Sequence, residues 1–140
     1  MKIEYRKSAA ATPAFALIAE GWNDLVQDGM TTDLRADCPV DVCNEVLHYE
    51  RDDGEIVGVV CWFNNEVTNA FVVSLAYVEP TSRRHGVFRE LYAKLRDRAL
   101  AASISRIVFQ VHPQNAGMVE VVKKLGATVV SLTFDTILFA

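Results

Sequence analysis

The stretch that most limits the fold is Ala70 to Val78, AFVVSLAYV. As an extended chain it is apolar on both faces, with Phe71, Val73, Leu75 and Tyr77 on one and Ala70, Val72, Ala76 and Val78 on the other. A strand of this kind needs both faces covered, so it belongs in the middle of a sheet flanked by helices. It is far too short to cross a membrane. Pro80 ends it, and a basic turn then leads into a second long periodic segment.

The elements on either side can be placed around this strand. Lys2 to Lys7 alternates weakly and reads as a first strand. Thr12 offers an N-cap with Pro13 at the first helical position, and Phe15, Ile18, Trp22 and Leu25 recur at helical spacing until Gly29. Gly29 to Pro39 is irregular, and Asp41 to Leu47 reads as a short helix or the entry to a strand. Val46 to Arg51, a turn at Asp53-Gly54, Glu55 to Asn64, a turn at Asn64-Asn65 and Ala70 to Val78 form an antiparallel meander.

Val87 to Ala102 is a helix with Phe88, Leu91, Leu95 and Ala99 in its stripe. Arg106 to Val111 is a short buried strand. Ala116 to Leu125 is a helix with Met118, Val121, Val122 and Leu125 inward, stopped by Gly126. Thr128 to Leu132 and Phe134 to Phe139 supply two last strands, and the apolar end Thr133 to Ala140 could form an edge strand that pairs into a homodimer. The strand-helix-strand step through Val87 to Ala102 requires a parallel pair. The expected class is therefore α/β (α+β), a mixed central sheet made of an N-terminal antiparallel meander and one parallel pair.

Composition narrows the function. With 140 residues, 51% hydrophobic and 23% charged, the chain suits one domain over residues 1–140 rather than a disordered tail. The start Met1-Lys2-Ile3-Glu4-Tyr5 has no apolar signal region, which points to a soluble cytoplasmic protein without membrane partners. A net charge of −4 argues against nucleic acid, whose phosphates need a broad basic face. Cys38, Cys43 and Cys61 form no CxxC pair, so no metal is expected from them. His48 has no partner evident in the sequence.

Against that acidic background the cluster Arg83-Arg84-His85-Gly86-Val87-Phe88 stands out. The amides of Gly86, Val87 and Phe88 open a helix at the positive end of its dipole, and Gly86 lets an anion approach the backbone. Arg83, Arg84 and His85 add charge at the rim. The same residues also fit a plain solvated turn, and the choice rests on context.

That context is a resemblance. Val78-x-Pro80-x-x-Arg83-x-x-Gly86-x-Phe88-x-x-Leu91 resembles the acetyl-CoA-binding motif of the GNAT superfamily of N-acetyltransferases. Val111-x-x-x-Asn115, with Gly126 eleven residues later, resembles that family's second block, and the element order matches from about Lys2 to Phe139. The resemblance implies that Arg83 to Phe88 hold the pyrophosphate of CoA. It also implies that Leu75, Ala76, Tyr77 and Val78 are a splayed edge that pairs with the pantetheine arm, and that Asn115 touches the arm or caps its helix. The implied reaction is acetyl transfer from acetyl-CoA to a primary amine by direct attack in a ternary complex.

Two positions depart from the pattern. Phe88 stands where the family has Gly or Ala, and Val122 stands where many members carry a tyrosine that protonates the leaving thiolate. His112, after the short strand, is the remaining candidate for proton transfer. The region from Trp22 to Leu47 carries Asp24, Asp28, Asp33, Asp37, Asp41 and Glu45, an acidic roof suited to a cationic amine. Glu66 and Glu79 are further acidic groups that could draw such a substrate. A catalytically weak or inactive GNAT-like module that binds acyl-CoA or a protein is the alternative.

Overall fold

The computed structural model describes residues 1–29, 44–111 and 114–127. His112, Cys38, Cys43, the acidic residues Asp33, Asp37 and Asp41, and the two strands expected after Thr128 lie outside the described residues.

Five strands form one sheet in the order β1 (Lys2–Arg6), β2 (Glu45–Glu50), β3 (Ile56–Asn65), β4 (Ala70–Val78) and β5 (Arg106–Phe109). The first four are antiparallel neighbours, and β4 pairs with β5 in parallel. The mixed sheet expected from the strand-helix-strand step is thus present. Helices α1 (Phe15–Gln27), α2 (Val87–Ala101) and α3 (Ala116–Lys124) complete the described chain.

Two apolar clusters lie against the sheet. One joins Leu91, Leu95 and Ala99 of α2 to Trp62, Phe71 and Val73, and the other joins Leu17 and Ile18 of α1 to Val46, Val59, Leu75 and Tyr77. Strand β4 contributes to both, as its two apolar faces require. Its alternation differs from the expected one, however. Cys61 faces Leu75 while Trp62 faces Val73, so Ser74 is an extra residue, a bulge. Phe71 and Val73 pack in the α2 cluster, whereas Leu75 and Tyr77 pack in the α1 cluster, because the bulge exchanges the faces halfway along the strand. The Ser74 hydroxyl donates to Asn44 Oδ1 at 2.7 Å.

Local corrections have local causes. Helix α1 starts at Phe15, since the Thr12 hydroxyl accepts the Ala14 amide at 3.1 Å and makes a separate turn first. Phe15 is consequently half exposed rather than in the core stripe. Strand β3 runs through Asn65, and the reversal follows it because Asn65 Oδ1 accepts the Val67 amide at 3.1 Å. In α3, Val122 faces inward and Val121 outward.

Helix α2 sits directly on β3. A Cβ at Gly58 would lie 2.5 Å from Val87 Cγ1, so only glycine allows this approach of the helix start to the strand.

Candidate functional site

Past the bulge, β4 and β5 part. Their parallel pairing runs from Ala70–Arg106 to Val73–Phe109, so Ser74 to Val78 extend beyond it, with Leu75 to Val78 still paired to β3. The Ser74 bulge, of a kind that bends and twists the strand carrying it, lies where that pairing ends. Of the backbone groups on this segment, Val78 O is already taken, since it accepts Arg83 Nε at 2.8 Å.

The turn after β4 is built in three steps. Pro80–Ser82 forms a single 3₁₀ turn, held by Ser82 N–H to Glu79 O at 2.9 Å and by the hydroxyls of Thr81 and Ser82 donating to the Glu79 carboxylate. These bonds, that from Thr81 first, lower the Glu79 pKa. Glu79 therefore organises the turn. Arg84 then takes a left-handed φ of 66°, and Gly86 follows at φ 81° as the N-cap of α2.

Gly86 provides no side-chain cap, and a Cβ placed on it would meet nothing within 4 Å. The first helical bond runs from Glu90 N–H to Gly86 O at 3.1 Å. The amides of the N-cap Gly86 and of Val87, Phe88 and Arg89 thus lack intrahelical acceptors and sit at the positive pole of a helix of 15 residues. Arg84, His85 and Arg89 are exposed around this end. His85 also lines a cleft of ≈ 290 Å³ with Thr81, Ser82, Val87, Tyr49, Arg51 and Val57.

Arg83 and Tyr77 have other duties than the rim alone. The Arg83 guanidinium lies 5.3 Å above the Tyr77 ring, and the Tyr77 hydroxyl donates to Asp24 at 2.7 Å and contacts Glu20 at 3.3 Å. Burial, with the Asp24 bond, pushes the Tyr77 pKa far up, so the hydroxyl stays protonated. This link ties α1, β4 and the basic turn together. The sequence contained no local sign of it, because Asp24 and Tyr77 are 53 residues apart.

The other expected residues fall as follows. Leu75 and Tyr77 turn their side chains to α1, and Ala76 and Val78 are half-buried on the α2 side. Phe88 is half-buried against Phe109, with ring centroids 6.4 Å apart, which explains how a bulky residue fits beside the turn. Asn115 is the N-cap of α3, its Oδ1 accepting the Met118 amide at 3.2 Å. Val122 is 9% exposed and offers no group for proton transfer. Two members of the acidic roof are engaged inside the protein: Asp24 by Tyr77, and Glu45 by the Tyr5 hydroxyl. Glu66 lies in the exposed turn between β3 and β4.

A family model described as the acetyltransferase (GNAT) family matches residues 14–127. The chain belongs to that family. A sequence search of curated proteins found no match. Among solved structures, this GNAT chain resembles ribosomal-protein-alanine N-acetyltransferase from Brucella melitensis biovar Abortus 2308 with a TM-score of 0.69 and 22% identity, over 96% of this chain and 97% of the other.

An aminoglycoside acetyltransferase, meta-AAC0020, from an uncultured soil metagenomic sample matches with a TM-score of 0.70 and 12% identity, over 95% and 93%. N-acetylglutamate synthase from Neisseria gonorrhoeae, complexed with coenzyme A and N-acetyl-glutamate, matches with a TM-score of 0.61 and 18% identity. That match takes in 86% of this chain but only 28% of the synthase. At these identities the likeness is one of fold. No described helix is long and apolar enough to cross a membrane.

Proposed function

We propose that this GNAT chain, as one domain over residues 1–140, transfers an acetyl group from acetyl-CoA to a primary amine. The observation that carries the reading is the uncapped start of α2 beside the point where β4 leaves β5. A dianionic pyrophosphate suits three free amides and a basic rim, and an extended pantetheine arm suits an unpaired strand edge. In this reading Gly86, Val87 and Phe88 hold the pyrophosphate through their amides, with Arg83, Arg84 and His85 around it. The backbone of Leu75, Ala76, Tyr77 and Val78 aligns the arm, and Asn115, its Oδ1 used by α3, offers only its Nδ2.

The acceptor ammonium first gives up a proton to solvent; the neutral amine then attacks the thioester carbonyl, a C–N bond forms, the C–S bond breaks, and the proton shed by the nitrogen passes to the thiolate as CoA leaves as the thiol. A backbone amide of the β4 edge stabilises the oxyanion, and alignment of the two reactants lowers the barrier by about 7 kcal/mol or more in favourable cases. His112 is the proposed proton carrier, directly or through water. The acceptor class we favour is cationic, drawn by the net negative charge of the chain. The reading also takes the protein to be cytoplasmic and able to form a homodimer.

The buried Val122 favours one second reading, a GNAT domain that binds acyl-CoA without turnover. An amine-panel assay of thiol release separates the two. Amine-dependent CoA release supports the transferase, and tight CoA binding with no release on any amine supports the binding module.

A further inference from the structure

One group of ligating side chains lies on β1 and β2, outside the residues assigned to the α2 turn and the β4 edge. Glu4 and His48 are direct cross-strand neighbours on β1 and β2, and Glu50, two residues along β2, projects from the same face. One ligand atom from each lies within 4.8 Å of the other two. His48 is fully buried, and neither ring nitrogen makes a hydrogen bond. Its Nε2 lies 3.5 Å from Glu4 Oε2.

A buried imidazole with both nitrogens unpaired is costly, so its environment calls for an explanation. A neutral imidazole carries one N–H and one lone pair, and with the lone pair on Nε2 a cation seated between it and the Glu4 carboxylate would satisfy both. Lys2 and Arg6 approach Glu4 at 2.6 Å and 3.0 Å, yet they donate to the carboxylate and leave the His48 nitrogens unpaired.

We propose that Glu4, His48 and Glu50 bind a divalent transition-metal ion of the zinc class, clamping edge strand β1 to β2. One imidazole and two carboxylates are ligands that zinc accepts, whereas calcium and magnesium favour oxygen alone. Tetrahedral zinc with bonds of about 2.1 Å sets ligand atoms about 3.4 Å apart, close to the His48–Glu4 separation. Glu50 closes the set by rotating its side chain. Lys2 and Arg6, with side chains 61% and 38% exposed, are free to swing into solvent as the ion enters.

Zinc binding to the full chain, measured by competition with a chromophoric chelator after EDTA treatment, tests this. We expect one equivalent bound by the wild type and an affinity lower by about tenfold or more in Glu50→Gln. Cobalt(II) bound in place of zinc should give a visible tetrahedral spectrum that His48→Gln abolishes. Because His48 is buried and its variant could misfold, the half-buried Glu50 position is decisive, with the thermal midpoint in EDTA as the folding control. No zinc uptake by the wild type at about 100 μM, or unchanged affinity in Glu50→Gln, overturns the proposal.

Discussion

Helices α2 and α3 both follow the parallel half of the sheet, and they begin in opposite ways. Helix α3 starts at Asn115, whose side chain accepts the Met118 amide, so that end is satisfied from within. Helix α2 starts at Gly86 with no side-chain cap, in a left-handed conformation, under a rim of exposed basic residues. Glycine in place of a capping side chain costs only about a few tenths of a kcal/mol, and it leaves the first amides open to an acceptor from outside the helix. The contrast is the ground on which we propose an anion site at the start of α2 and none at α3.

Substitution of Gly86 by Glu breaks the contrast most severely. A negative side chain placed where the pyrophosphate sits costs several kcal/mol, so the Kd for CoA should rise by at least about a hundredfold in calorimetry. The left-handed φ adds a stability loss of about 1–2 kcal/mol, which denaturation separates from the binding effect. Affinity equal to the wild type would move the phosphate site elsewhere.

Val122→Tyr probes the α3 side. The position faces the interior, so the larger ring should destabilise the fold by about 1–3 kcal/mol and bring no gain in amine-dependent CoA release. A faster enzyme would mean that the ring reaches the leaving thiolate, contrary to the packing described above.

Tyr77→Phe addresses the link between α1 and the basic turn. Loss of the bond to Asp24 should cost about 1 kcal/mol in urea denaturation. The folded-state pKa of Tyr77 is raised, so its contribution is intact below the unfolded value of about 10 and declines as the pH rises beyond it. The wild type should therefore lose stability more steeply above about pH 10 than Tyr77→Phe does. Equal slopes would show that the hydroxyl ionises freely.

Asn115→Ala is the mildest test. It should lower stability by about 1 kcal/mol while changing CoA affinity by only a few-fold, since its Oδ1 serves the helix. A loss of affinity as large as that of Gly86→Glu would erase the difference between the two helix starts.

How much of this was legible in the sequence follows from the range of each interaction. The central place of Ala70 to Val78, the glycine start of α2 and the parallel pair rest on local composition and order, and each is present in the fold. The Ser74 bulge depends on the register against β3, so strict alternation assigned Leu75 and Tyr77 to the face of Phe71 and Val73. The start of α1 moved because Thr12 capped a turn rather than the helix. The Tyr77–Asp24 bond and the His48–Glu4 pair join residues distant in the chain, and neither leaves a local pattern. Of the acidic roof, Asp24 and Glu45 look like free charges in the sequence and serve internal bonds in the structure.

The amides at the start of α2 carry the proposed cofactor site. Titrating the ¹⁵N-labelled chain with CoA and following the Gly86, Val87 and Phe88 amides tests it most directly. Large downfield proton shifts that saturate with CoA, beside a much smaller change at Met118, are the predicted result. Those three amides unmoved at saturating CoA would contradict it.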